Sequence, residues 1–193
     1  MKQVDTEEDN RLMMAVKAGD LDGIGTLFEK YHVALVGFFR RMGGQSQLSE
    51  DLAQETFWRI LRYRKTYDSR RPFRAWMYQI ARNIMYDQAK KNASASRVFD
   101  DRIELEPERF AEPDCDVEKE VERSDNKQLL RQALGKLPEE KRELIVMCRF
   151  EELPYAEIAP IFGCSVGTLK VRLFRALQEL KDVFVELGGE KAV

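Results

Sequence analysis

Arg74, Tyr78 and Arg82 recur at i, i+4 and i+8 within Arg70-Arg71-Pro72-Phe73-Arg74-Ala75-Trp76-Met77-Tyr78-Gln79-Ile80-Ala81-Arg82-Asn83, with Gln79, Asn83 and Tyr86 beside them. Guanidinium groups neutralise phosphate, while rings and amides meet bases freed from the stack, so such a face suits unpaired nucleic acid. A core helix with a merely solvated basic face shows the same row. The surrounding chain must decide between the two.

The element that positions this row is a helix. Pro72 suits a first helical position, where its missing N–H costs nothing, and Phe73, Trp76, Met77, Ile80 and Ile84 form one apolar stripe that places Trp76 in the core. The pattern runs to about Lys90, and Asn92-Ala93-Ser94-Ala95-Ser96 breaks it. Charge is strongly segregated. Between Arg59 and Lys91 stand ten Lys/Arg and two Asp/Glu, whereas between Asp100 and Asp125 stand twelve Asp/Glu and four Lys/Arg. A polyanion-binding surface is thus followed by an acidic segment able to imitate or repel a polyanion.

Upstream, residues 1 to 10 are polar and expected to fray, and Leu12, Met13 and Val16 open a short helix ending near Gly19. A second helix carries Leu27, Tyr31, Leu35, Phe38 and Phe39 inward and stops at Gly43-Gly44, with His32 as a surface or packing residue. Ser49 fits the N-cap of a third helix with Glu50 and Asp51 in its first turn. Asp51, Gln54, Glu55, Trp58 and Arg59 share its polar face. An exposed indole ringed by polar groups anchors a partner; an indole tucked against a neighbouring helix has the same sequence signature.

The fold class expected is all-α: two small helical domains, residues 1–92 and 126–193, joined by a flexible acidic linker, 93–125. The linker has Pro107, Pro113 and too little apolar surface to offset the entropy of ordering. In the second domain, helices are expected around Leu129 to Leu137, after Pro138, and from Pro154 to Ala159. After a turn at Phe162-Gly163-Cys164, a fourth begins at Ser165. The last pair has the form of a helix-turn-helix. Val166, Leu169, Leu173 and Leu177 would pack inward. Lys170, Val171, Arg172, Phe174 and Arg175 would face a major groove, with Ser165 and Thr168 near phosphates at the helix N-terminus.

Cys115, Cys148 and Cys164 lie far apart with a single histidine, which argues against a metal site and leaves Cys148 and Cys164 as small core residues. No nucleophile–base pair or phosphate-binding loop stands out, so neither an enzyme nor a cofactor is expected. The N-terminus has no apolar signal region and no stretch approaches a membrane span, which implies a cytoplasmic, reduced protein with no membrane insertion.

Three stretches together resemble the extracytoplasmic-function group of the sigma-70 family, small two-domain sigma factors of bacterial RNA polymerase. They are Asp51-Leu52-Ala53-Gln54-Glu55-Thr56-Phe57-Trp58-Arg59, Phe73 to Asn83, and Leu137-Pro138 followed by Tyr155-Ala156-Glu157-Ile158-Ala159 and Val166-Gly167-Thr168-Leu169-Lys170. The resemblance implies a chain that binds polymerase core through its β and β′ subunits and directs promoter recognition, melting and initiation. It implies that Asp51, Gln54, Glu55, Trp58 and Arg59 dock on polymerase. The loop Arg64 to Arg71, with Tyr67, Arg70 and Arg71, would receive a flipped base of the minus-ten element, and Arg74, Tyr78, Gln79, Arg82, Asn83 and Asp87 would face that strand. Ser165, Thr168, Lys170, Val171, Arg172, Phe174 and Arg175 would read the minus-thirty-five element. An anti-sigma factor and a monomeric free state are implied as well. Val171 and Ser165 depart from the family pattern, where a small polar residue and proline are frequent, so the upstream promoter sequence cannot be borrowed from a relative.

Opening about ten base-pair steps costs on the order of 14 kcal/mol. Two captured bases return at most about 6 kcal/mol. Polymerase core must supply the rest. The rival is a dimeric helix-turn-helix regulator on operator DNA, which has no use for a single-strand reader in its first domain.

Overall fold

The computed structural model describes residues 2–95 and 117–189. Eight α-helices and no strands occur among them: α1 (Lys2–Ala18), α2 (Asp22–Arg41), α3 (Ser46–Tyr63), α4 (Phe73–Ala95), α5 (Val117–Lys136), α6 (Glu139–Ile145), α7 (Tyr155–Ile161) and α8 (Val166–Glu186). A 3-10 turn, Arg64–Thr66, follows α3, and a π-helical turn, Val146–Phe150, continues α6. The all-α expectation holds.

In the first bundle α2 packs against α1 and α3, and α4 packs against α3 and α1. Met13 and Val16 of α1, Leu27, Leu35 and Phe38 of α2, Ile60 of α3 and Phe73 and Met77 of α4 are fully buried. Each contributes about 1.5–3 kcal/mol by leaving water, which is what holds otherwise marginal helices in place. Gly43 ends α2 at φ +101°, a conformation that favours glycine, and Gly44 N–H then reaches the Phe39 carbonyl at 3.0 Å.

In the second bundle α8 is the hub. Leu169, Leu173, Ala176 and Leu180 line its buried face against α5, α6 and α7. Pro154 stands immediately before α7, and Gly163, at φ +58°, turns the chain from α7 toward α8. Ser165 caps α8 by accepting the Thr168 N–H at 3.1 Å. One apolar cluster runs without interruption through both bundles.

Several local expectations change. α1 begins at Lys2 rather than near Leu12, because Asp9, 1 % exposed, accepts from Lys30 Nζ at 2.7 Å and from the Tyr31 hydroxyl. A polar stretch gains order when its charges find partners. α4 runs to Ala95, past the expected break at Asn92. Ser49 is not a cap: α3 starts at Ser46, and Ser49 is buried in its first turns. On α8, Val166 is exposed and Ala176 and Leu180 take inward places. Cys148 is buried as expected, and Cys164 is half-buried. Of the linker 93–125, residues 93–95 and 117–125 are helical, and the remainder lies outside the described residues.

Candidate nucleic-acid and partner interfaces

A cleft of about 360 Å³ opens where the end of α3, the loop after it and α4 converge. Tyr63 and Trp76 supply aromatic surface, Arg71 a cation, Asp68 a carboxylate, and Gln79 and Asn83 two amides. The loop is fixed from inside. Asp68 accepts from the Arg70 backbone N–H at 3.1 Å and from its guanidinium at 2.7 Å, and Arg71 N–H reaches the Asp68 carbonyl at 2.9 Å. The Arg70 hydrogen bonds hold the Asp68 carboxyl down to about 2. The cleft mouth therefore keeps a negative charge beside two arginines at any ordinary pH.

Tyr67 anchors this loop rather than facing solvent. Its ring, 1 % exposed, lies 5.1 Å from Trp76 and 6.5 Å from Phe73. Its hydroxyl lies 2.9 Å from Asn10 Oδ1 and 3.1 Å from the Arg71 carbonyl, so its single hydrogen serves one acceptor at a time. Asn10 Oδ1 also accepts the Phe73 N–H, an unpaired donor at the start of α4, at 2.8 Å. The expectation that Tyr67 receives a base is corrected: burial removes its ring from any ligand.

The row Arg74, Tyr78, Arg82 is corrected too. Adjacent helical positions are 100° apart, so Gln79 and Asn83 reach the cleft while Tyr78 and Arg82 point elsewhere. Tyr78 is fully buried, packed on Phe38 at 5.4 Å, and donates to Glu151 of the second bundle. Arg74 donates to the Glu151 carbonyl at 2.6 Å, and Arg82 donates to Glu143 at 2.7 Å and to the Ile161 carbonyl at 2.8 Å. These three side chains hold the bundles together. Asp87, exposed one turn beyond Asn83, pairs with Arg59 at 2.7 Å, and Arg70 is highly exposed beside the cleft.

On α3, Asp51, Gln54, Glu55 and Trp58 line a shallow depression of about 300 Å³. Trp58 is 51 % exposed, which settles the two readings of its indole in favour of an open surface. The Arg62 guanidinium sits 5.0 Å over Trp58 and 5.7 Å from the Tyr63 ring, linking the depression to the cleft by cation–π contacts. Arg59 is occupied by Glu55 at 2.8 Å and by Asp87.

On α8, Lys170, Val171, Arg172, Phe174 and Arg175 are all exposed, as are Ser165 and Thr168. Phe174 is 63 % exposed, and Arg172 makes a 3.2 Å pair with Glu140. The Ser165 hydroxyl is used in capping its own helix. Tyr63, Thr66 and Asp68 join the cleft without having been singled out, and Trp76, expected in the core, packs against it only partly buried and lines the cleft as well. Among the described residues no group of His, Cys, Asp and Glu could hold a metal ion, and no helix is long and apolar enough to cross a membrane.

The sequence matches sigma-70 region 2 over residues 27–95 and sigma-70 region 4 over residues 127–180. It is 30% identical over 162 residues to the ECF RNA polymerase sigma factor SigM of Bacillus subtilis, covering 83% of this chain and 94% of that one. It is 29% identical over 190 residues to the RNA polymerase sigma-H factor of Pseudomonas aeruginosa, covering 95% and 97% of the two chains. Among solved structures, CnrH in complex with the cytosolic domain of CnrY is similar at a TM-score of 0.67 and 25% identity, over 93% of this chain and 98% of that one. The sigma factor RpoE in complex with the anti-sigma factor NepR from Bartonella quintana has a similar fold, at a TM-score of 0.64 and 24% identity, over 83% and 96%.

Proposed function

Because this chain belongs to the extracytoplasmic-function sigma factors of the sigma-70 family, we propose that its cleft between α3 and α4 receives an unpaired base of the promoter's minus-ten element. The chain is an alternative sigma factor that binds RNA polymerase core and directs promoter recognition, melting and initiation. The observation that carries the cleft assignment is the convergence of Trp76, Tyr63, Arg71, Gln79 and Asn83 around one opening. Aromatic surface offers a base a stacking platform, amides meet its hydrogen-bonding edge, and Arg71 with exposed Arg70 meets phosphate. Asp87 extends this face toward the strand.

One base held on aromatic surface returns about 1–3 kcal/mol, against the order of 14 kcal/mol for ten opened steps. Capture therefore stabilises an opening that polymerase drives. Asp51, Gln54, Glu55 and Trp58 are the proposed docking face on core, with Arg59 setting the Glu55 carboxylate through their 2.8 Å pair. The exposed face of α8, from Lys170 to Arg175, is the proposed reader of the duplex minus-thirty-five element, with Thr168 beside the phosphates. The working units are residues 1–92 and 126–193. The proposed place of action is the cytoplasm, and an anti-sigma factor is the proposed regulator, as the partner of the similar RpoE is so described. The deciding experiment mixes the chain with polymerase core and assays run-off transcription from a promoter library. A one-to-one complex that selects promoters is expected; tight dimeric binding to duplex alone overturns the reading.

A further inference from the structure

The loop that carries Asp68 and Arg71 into the cleft hangs at both ends from α1, an element to which the proposed function gives no part. Where the chain leaves the 3-10 turn, Lys17 Nζ donates to the Tyr67 carbonyl at 2.6 Å. Where it enters α4, Asn10 Oδ1 accepts the Phe73 N–H at 2.8 Å, and the same oxygen lies 2.9 Å from the Tyr67 hydroxyl. Between the two held points run only Asp68, Ser69, Arg70, Arg71 and Pro72. The Lys17 and Phe73 contacts are made to main chain, so they fix the path of the loop independently of its side chains.

α1 is itself fixed. Asn10 and Lys17 stand seven positions apart, which puts them on one face of the helix about 10.5 Å apart along its axis. Met13, between them, and Val16 are fully buried, and α1 packs against both the 3-10 turn and α4. The neighbour of Asn10 sets the register: Asp9, 1 % exposed, accepts from Lys30 Nζ at 2.7 Å and from the Tyr31 hydroxyl, both of α2. A slip of one residue would carry Asn10 about 1.5 Å along the axis and about 100° around it, away from the Phe73 N–H. Lys17, half-buried in the last turn of α1, spends its ammonium on the loop carbonyl rather than in open water. Both residues precede residue 27, where the match to sigma-70 region 2 begins, so these contacts belong to this chain rather than to the matched pattern.

We propose that Asn10 and Lys17 are positioning residues for base capture: α1 sets the path of the loop, and with it where Arg71 and Asp68 stand relative to Gln79 and Asn83 across the cleft. This rests on the proposed reading of the cleft. Neither side chain lines the cleft, so each acts through the loop. Discrimination between bases needs polar groups held to within about 0.5 Å. A loop held at Tyr67 alone leaves Arg71, two residues from the other end, free to swing. The Tyr67 hydroxyl is dispensable to this arrangement, because its removal leaves both main-chain contacts in place.

The test is initiation by the full chain with polymerase core on a promoter library randomised through the minus-ten element, read position by position. Asn83→Ala identifies the position served by the cleft as the one whose base preference it flattens. Asn10→Leu, which fills the same space without an acceptor, and independently Lys17→Met, which keeps the aliphatic stem without the ammonium, are expected to reduce the preference at that position about fivefold. Core affinity and the other minus-ten positions should stay at wild-type values. Asn10→Asp, which retains an accepting oxygen, is expected to keep the preference. Unchanged preference in Asn10→Leu and Lys17→Met, where Asn83→Ala flattens it, overturns positioning by α1. Equal losses at every position together with weaker core binding, or one variant unfolded while the other keeps the wild-type preference, give α1 a role in stability alone and overturn it as well. A wild-type profile at every position for Asn83→Ala overturns the cleft reading instead.

Discussion

Arg82 of α4 and Glu143 of α6 stand 61 positions apart in the chain and meet at 2.7 Å, with Glu143 fully buried. A carboxylate in that position has little water to turn to, so removing its guanidinium leaves an uncompensated charge. Burial pushes the Glu143 carboxyl above its ordinary range in spite of Arg82. The pair therefore specifies how the bundles meet more than it adds stability. Arg82 contributes to that specification through three kinds of contact at once: ion pair, carbonyl and the Phe162 ring.

Asn83→Ala removes an exposed amide from the cleft and touches no buried contact. Open-complex formation should weaken by about five- to 150-fold, the equivalent of about 1–3 kcal/mol at one base, with core binding unchanged. Permanganate reactivity of promoter thymines measures the first and a fluorescence titration with core the second. Loss of core affinity would contradict the placement of Asn83.

Trp58→Ala should act the other way round. An exposed tryptophan in a polar depression is the type of side chain that dominates an interface, and its truncation typically costs 2 kcal/mol or more. Core affinity should fall about thirtyfold, while Asp51, Gln54 and Glu55, polar groups lining the same depression, account for smaller losses. A wild-type titration for Trp58→Ala would remove the docking assignment.

Tyr67→Phe separates support of the loop from contact with DNA. The ring remains between Phe73 and Trp76, and only the hydroxyl contact with Asn10 or the Arg71 carbonyl is lost. A loss of about 1 kcal/mol is expected, or about 2–4 °C in melting temperature, with promoter selectivity intact. A changed base preference without a change in melting would return Tyr67 to the strand.

The helices and the exposed face of α8 were legible from periodicity, because apolar spacing reports directly which side of a helix leaves water. Gln79 and Asn83 were legible for the same reason, whereas the sequence left Trp58 open between an exposed and a tucked indole, and only its 51 % exposure decides. Arg74, Tyr78 and Arg82 were not: a polar row facing solvent and one facing buried carboxylates of a distant bundle have the same sequence. Their partners Glu143 and Glu151 sit in otherwise apolar surroundings, Leu144 to Cys148 and Leu153, and that polar interruption was the available signal. Asn10 was hidden differently. Its value lies in one acceptor oxygen shared by Tyr67 and Phe73, which no local pattern encodes.

Cys148 and Cys164 should differ sharply toward alkylating reagents. Burial pushes the Cys148 thiol up to about 11, and only a trace of thiolate exists at pH 8. Cys164 is only half-buried. Mass-spectrometric footprinting with iodoacetamide should label Cys164 many times faster in the native chain, with the difference vanishing in denaturant. Equal rates in the native chain would mean that the second bundle opens readily around Cys148.

Closure between the bundles should loosen as pH rises. Glu151 faces Arg41 from α2 and Arg74 and Tyr78 from α4; Glu143 faces Arg82 and Tyr86 from α4 and Glu139 on its own helix. Burial raises both carboxyls above the ordinary value, outweighing the guanidinium groups beside them. In an opened chain they regain water and titrate near about 4.3. The closed form then binds more protons than the open form between that value and the raised one. Its extra stability is complete below the ordinary carboxylate range and is lost as pH climbs through the raised values. The wild-type radius of gyration should accordingly increase from pH 5 to pH 8, and Glu151→Gln, which has no proton to release there, should flatten the change. A radius that shrinks over the same interval would show that charge pairing with Arg41 and Arg74, rather than burial of the carboxyls, governs the contact.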